Sequence, residues 1–111
     1  MNNVMTINGY QAVINYDPDI KMLRGEFIGL NGGADFYAKD VKSLEREGAT
    51  SLKVFLDACK EDGVDPRKSF SGKFVLRIDP ETHEAVAIAA AAHGQSLNQW
   101  AAEALREAAQ A

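Results

Sequence analysis

Apolar and polar residues alternate along the first third of the chain with the period of a β-strand. Residues 6–16 (TINGYQAVINY) are rich in β-branched and aromatic side chains and predict one strand that ends at Asp17–Pro18–Asp19, a sequence typical of a turn. Residues 23–30 predict a second strand, residues 32–33 a second turn, and residues 35–38 the start of a third strand. We therefore expect an antiparallel meander.

The hydrophobic period then changes to that of a helix. Over residues 43–59 apolar side chains recur at helical spacing, at Leu44, Leu52, Phe55, Leu56 and Cys59. Charged residues occupy the other side, and Gly63 is a typical helix stop. A three-stranded sheet needs a cover on one face, and this helix is available for it.

From Gly72 the pattern predicts a short strand followed by two helices. In residues 73–78 (KFVLRI) the alternation turns Phe74, Leu76 and Ile78 to one side, and Lys73, Val75 and Arg77 to the other. Asp79 and Pro80 are suited to cap and begin a helix that runs to His93 and stops at Gly94. Ser96 and Gln99 form a capping box that opens a second helix towards Ala109.

These patterns divide the chain into an N-terminal α+β part over residues 1–65, a linker over 66–72, and a C-terminal part over 73–111. The segment from Gly72 onward is 40 residues long. Segments of that size rarely fold alone, and a single strand leaves unpaired edges. Pairing with the same strand of a second copy solves both problems, so we expect a homodimer with a two-stranded ribbon over four helices.

A two-stranded ribbon fits the DNA major groove, where base edges carry a full donor and acceptor code. The outward face would present Lys73, Val75 and Arg77 once per chain, with Arg or Lys suited to guanine and Val75 to a thymine methyl. The start of the last helix, at Ser96 to Asn98, would offer backbone N–H groups and a positive dipole end to a phosphate. Arg67 and Lys68 would add positive charge near the ribbon.

Composition restricts the function further. Twelve basic and sixteen acidic residues give a formal net charge of −4, which argues against binding nucleic acid or an anionic membrane through bulk charge. One cysteine, Cys59, excludes an internal disulfide, and His83 and His93 are spaced wrongly for a metal pair. Residues 1–7 lack the features of a secretory leader, and we expect a cytoplasmic protein without cofactor, metal or membrane span.

Several stretches of the sequence resemble known protein families. KFVLRIDPETH, followed by GQSLNQW, is similar to the ribbon-helix-helix repressors of the Arc and methionine-repressor type. The whole chain resembles a HicB-family antitoxin, through GYQAVINYD, GEFIGL, the helix LEREGATSLKVFLDACKEDG and the junction from Pro66 to Phe74.

The resemblance implies a two-part antitoxin that is not an enzyme. Its N-terminal part would have an inactive, partial ribonuclease-H-like fold and would cover the active site of a HicA-like, mRNA-cleaving toxin. Its C-terminal part would bind the operator of its own operon as a homodimer or higher oligomer. Lys73, Val75 and Arg77 match the family's base-reading positions, although Val75 replaces a residue that is often polar there, and Ser96 and Asn98 match the helix start that holds phosphate.

Two other functions are compatible with the same residues. The chain could be a solitary transcriptional regulator whose N-terminal part serves another partner or a small ligand. The carboxylates Asp17, Asp19, Glu26 and Asp35 could instead hold Mg²⁺ for phosphodiester cleavage, but nothing in the sequence fixes four of them around one point. The same acids would complement a basic toxin and speed its association.

Overall fold

The computed structural model describes residues 3–110 and shows an α+β protein with one four-stranded antiparallel sheet and three helices. It contains β1 (Val4–Ile7), β2 (Tyr10–Asp17), β3 (Met22–Phe27), β4 (Asp35–Ala38), α1 (Val41–Asp62), α2 (Pro80–Ala92) and α3 (Leu97–Gln110). The chain forms two compact units, one ending at Ser71 and the other beginning at Gly72. The sheet and α1 belong to the N-terminal unit, and α2 and α3 to the C-terminal unit.

The first strand differs from the prediction, because residues 6–16 do not form one strand. Asn8 and Gly9 both have positive φ, at 49° and 83°, and make a tight turn that splits the segment into β1 and β2. Ile7 then pairs with Tyr10 across the hairpin. Two-residue hairpin turns need positive φ at both central residues, a conformation that Asn-Gly adopts at low cost. The meander therefore has four strands.

The other strands follow the expected order, β1-β2-β3-β4, with every neighbouring pair antiparallel. The turn after β2 is supported by the Asp17 carboxylate, which accepts a hydrogen bond from the backbone N–H of Asp19 at 3.0 Å. This bond is the backbone role expected of Asp in such a turn. Leu30, predicted within the second strand, lies beyond β3 and forms an isolated bridge with Arg67.

Helix α1 covers one face of the sheet. Asp40 caps its first turn by accepting a hydrogen bond from the Ser43 backbone N–H at 2.7 Å, and Gly63 ends it in the left-handed conformation, which confirms the predicted stop. The stripe facing the sheet consists of Leu44, Gly48, Leu52 and Cys59, all buried. The core between helix and sheet also includes Ile7, Ala12, Phe27, Leu30, Ala34, Phe36 and Ala38.

The start of the predicted linker is bound to the N-terminal unit. The backbone N–H of Asn31 donates to the Pro66 carbonyl at 2.9 Å, and that of Lys68 donates to the Gly29 carbonyl at 2.8 Å. The Arg67 guanidinium lies 4.0 Å from the centre of the Tyr10 ring and donates to the Gly9 carbonyl at 3.2 Å. These contacts extend the fold of the N-terminal unit to residue 68.

The strand predicted over residues 73–78 is not present in the single chain. The segment 73–79 has no regular secondary structure, because a strand is defined by hydrogen bonds to a neighbouring strand. The helices that follow it are close to the predicted bounds: Asp79 caps α2 with Pro80 at its first position, and α2 ends at Ala92 with His93 as its C-cap, before Gly94. Helix α3 begins directly after Ser96.

Candidate nucleic-acid interface

Side chains still alternate along segment 73–78, although it forms no strand. Phe74, Leu76 and Ile78 line an open groove of about 650 Å³ within the C-terminal unit, together with side chains of α2 and α3. Val75 and Arg77 lie outside this lining, and Val75 is 96% exposed. The predicted apolar side therefore faces the groove, whereas Val75 and Arg77 of the predicted reading face are exposed to solvent.

The groove is apolar and uncovered. Val86 contributes from α2, and Ala101 and Leu105 from α3, with Leu105 45% exposed. Among the described residues after Gly72, Ala90 is the only one that is buried. A unit of this size with one buried residue has almost no core of its own, and units this small rarely fold without a disulfide, a metal or association.

Both helix starts in this unit are capped by side chains. The Thr82 hydroxyl and backbone N–H donate to the Asp79 carboxylate at 2.6 and 3.2 Å, and these bonds lower the pKa of Asp79. The Gln99 backbone N–H donates to Ser96 Oγ at 3.1 Å, and the Ser96 backbone N–H donates to Gln99 Oε1 at 3.0 Å. The predicted capping box is thereby confirmed, and Ser96 has a structural role whether or not DNA is bound.

The two remaining predicted site residues, Lys73 and Asn98, both line the groove. In the single chain Lys73 therefore differs from the prediction, which placed it on the outer side with Val75 and Arg77. Trp100 on α3 is half-buried, which favours a packing role over stacking on a base. His83 lines the groove, whereas His93 Nδ1 is 2.7 Å from the Ala89 carbonyl oxygen at the end of α2. Base contact by Lys73, Val75 and Arg77 and phosphate contact by Ser96 and Asn98 stay predictions.

The N-terminal carboxylates do not gather around one point. Among residues 3–110, no three His, Cys, Asp or Glu side chains are arranged to hold a metal ion. Asp35 forms an ion pair with Arg24, whose guanidinium also lies 3.7 Å from the Glu26 carboxylate. The hydrogen bond and charge of Asp35 raise the pKa of Arg24. Arg24 was not predicted as a site residue, although strand alternation places it on the same side as Glu26.

Cys59 is buried on the sheet-facing stripe of α1, which confirms its interpretation as a small core residue. Over residues 3–110 the structure contains no helix long and apolar enough to cross a membrane.

Fold and site together define a two-unit α+β protein, with a closed N-terminal core and a C-terminal unit that consists of an irregular segment and two helices beside an open groove. The sequence model of the HicB family matches residues 55–105, from the last part of α1 through the junction to α3. The match covers slightly less than half of the chain, and over these residues the chain is similar to the HicB family. No curated protein and no solved structure matches the chain.

Proposed function

We propose that this chain is a non-enzymatic antitoxin that binds and occludes a HicA-like, mRNA-cleaving toxin and represses its own operon as a dimer. Toxin binding belongs to the N-terminal unit and DNA binding to the C-terminal unit. The protein acts in the cytoplasm and needs neither cofactor nor metal for these roles. The family match over residues 55–105 supports the toxin–antitoxin part of the proposal.

The observation that carries the DNA-binding part is the open groove. A second copy places its own segment 73–78 beside the first, which pairs the two backbones as antiparallel strands. The same association covers Phe74, Leu76 and Leu105, which are 74%, 57% and 45% exposed in the single chain. Complete burial of one large aliphatic or aromatic side chain contributes about 1.5–3 kcal/mol, so covering several of them on both chains favours the dimer strongly.

The resulting ribbon-helix-helix dimer presents Lys73, Val75 and Arg77 from each chain on its outer face. Arg77 is suited to a bidentate hydrogen bond with guanine O6 and N7, and Val75 to contact with a thymine methyl. The amino end of α3, with Ser96 and Asn98, supplies the positive end of a helix dipole for a phosphate. The reading surface is local, so it is compatible with a net charge of −4 for the chain.

The DNA-binding part is tested with the full-length chain and the DNA fragment upstream of its own coding sequence. Arg77→Ala is expected to weaken binding by about 5- to 150-fold for each lost base contact, which corresponds to about 1–3 kcal/mol. Arg106→Ala removes the same charge from an exposed position on α3 and should have a much smaller effect. Equal losses for the two variants would contradict base reading by Arg77.

The toxin-binding part is tested by purifying the tagged chain from its native cells. A small basic protein that remains bound in moderate salt, in stoichiometric amount, is expected, and this protein should cleave mRNA when it is separated from the chain. Recovery of a homodimer alone, with its promoter fragment retained in an Arg77-dependent manner, would favour a solitary regulator. Recovery of a monomer at micromolar concentration would contradict the dimer itself.

A further inference from the structure

The sheet of the N-terminal unit is covered on one face only. Helix α1 packs against the face that carries Phe27, Phe36 and Ala38, all of which are buried. Alternate residues of the same strands point to the opposite face, which is not covered by any element of the N-terminal unit that the structure describes. A sheet that is half-buried in this way normally presents polar side chains to water. The open face of this sheet has two further features, a net negative charge and an apolar strip.

The first feature is the net charge. The open face carries Asp17, Glu26 and Asp35 but a single cation, Arg24, and thus has a net charge of −2. The whole unit up to Ser71 contains nine basic and eleven acidic residues, which is also −2. The negative excess of the unit is therefore equal to that of its open face, and charges elsewhere on the unit balance. Arg24 pairs with Asp35 and Glu26 but balances only one of the three negative charges, so the remaining net charge of −2 attracts cations.

The second feature is an apolar strip between the charged side chains. Val4 and Val13 are cross-strand partners, and both are half-buried, as is Met22 on β3. Tyr37 on the edge strand β4 is 41% exposed and pairs with Arg24 across the strands. Aromatic and apolar residues surrounded by a polar rim are typical of protein–protein interfaces.

The area of the open face can be compared with that of a standard protein–protein interface. Four strands about 4.8 Å apart and about six residues long cover roughly 19 by 20 Å. This area is about half of the surface that each partner contributes to a standard interface, roughly 800 Å². The adjacent β2–β3 turn extends the surface through Ile20, which is 49% exposed, while its neighbours Asp19 and Lys21 carry charges that cancel.

We infer that this open face, together with the β2–β3 turn, is the surface that binds the toxin partner, and that it binds the partner's RNA-binding surface. The inference rests on the proposed function. A protein that cleaves mRNA must present cationic side chains to phosphates. Carboxylates of the open face pair with those side chains, and Tyr37 and Val13 supply apolar contact. Occlusion then occurs by competition, since antitoxin and RNA occupy the same cationic surface.

The experiment uses the full-length chain and the small basic protein that co-purifies with it, expressed and purified separately. The double variant Glu26→Gln/Asp35→Asn removes two charges from the open face while it keeps the side-chain shapes. The control Glu47→Gln/Glu61→Gln removes two charges from exposed positions on α1, away from its sheet-facing stripe. We expect the open-face variant to associate about tenfold more slowly at low salt, with a weaker salt dependence, and the control to associate like the wild type.

Tyr37→Ala provides a second test that leaves the Arg24 ion pairs intact. It should speed dissociation of the complex at least tenfold, and the complex should lose the ability to protect a labelled RNA from cleavage at the same concentration. If the wild type binds the toxin and all open-face variants bind equally well, the surface assignment is wrong and the antitoxin function stands. If the wild type does not bind a toxin at all, the proposed function fails and this inference fails with it.

Discussion

The ring of Phe36 lies between two glycines, and this arrangement allows a sharp test of the N-terminal core. A Cβ atom added at Gly25 would fall within 3.0 Å of three atoms of that ring, including Cε1 at 2.7 Å. From the other side, a Cβ added to Gly48 of α1 would lie 2.9 Å from Cε2 of the same ring. Ordinary van der Waals contact begins at about 3.4 Å, so neither methyl group can be added without moving Phe36.

We therefore expect Gly25→Ala to destabilise the N-terminal unit. Replacing Gly by Ala in a regular element gains roughly 0.5–1 kcal/mol through the backbone, whereas overpacking a core costs about 1–3 kcal/mol. The ring cannot move away from Gly25, because it would meet α1 at Gly48 and the Phe27 ring, whose centre is 5.1 Å away. Overpacking should dominate, and the net loss should be about 1–2 kcal/mol.

The measurement is thermal unfolding of the full-length chain followed by circular dichroism. For a unit of this size a loss of 1 kcal/mol lowers Tm by about 4–8 °C. Fluorescence of Trp100, in the C-terminal unit, reports whether that unit is unaffected. Gly33→Ala is the matched control, since a Cβ there meets no atom within 4 Å.

A double-mutant cycle isolates the contact with the ring. Phe36→Leu is destabilising by itself, but in that background Gly25→Ala should cost at least 1 kcal/mol less than in the wild type, because the obstructing ring atoms are gone. Additive effects of the two substitutions, or a Gly25→Ala protein as stable as the Gly33→Ala control, would refute the steric argument.

Two further predictions concern the helix caps. Hydrogen bonds from Ser43 lower the pKa of Asp40 below its ordinary value of 3.8, so this cap stabilises the fold fully above that pH and loses its contribution as the pH falls through the lowered value. Asp40→Asn keeps the capping geometry without the titration, and its melting temperature should fall less steeply than that of the wild type below about pH 4. Ser96→Ala should cost about 1 kcal/mol in urea unfolding. Ser96→Asp should restore that loss but repel phosphate and weaken DNA binding, whereas restored binding would argue against a phosphate at this helix start.

Helix limits could be predicted from the sequence because their determinants are local. Asp79 with Pro80, Gly63, and the pair Ser96 and Gln99 each act within three or four residues of the helix end. The turn at Asn8 was missed for an equally local reason. Alternation of apolar residues continues across a two-residue hairpin, so periodicity alone shows one strand where there are two, and only the Asn-Gly pair reveals the break.

Contacts between distant residues could not be predicted in the same way. Arg67 packs on Tyr10, 57 positions earlier, and the close approach of Gly25 and Gly48 to Phe36 depends on how α1 crosses the sheet. Segment 73–78 differs from both cases. Its alternation predicts a strand, but the structure of one chain cannot contain that strand if its hydrogen bonds lie between two molecules, as they do in the proposed dimer.

The two units therefore differ in what stabilises them. The N-terminal unit closes its own core around Leu44 and Leu52, which are almost completely buried, and binds residues 65–68 of the junction to its surface. The C-terminal unit buries Ala90 and leaves its apolar groove open. In the proposed function, folding of the DNA-binding unit is thus coupled to association and depends on protein concentration, whereas the toxin-binding unit is folded in every chain. A newly made chain can then neutralise toxin before enough copies accumulate to repress the operon.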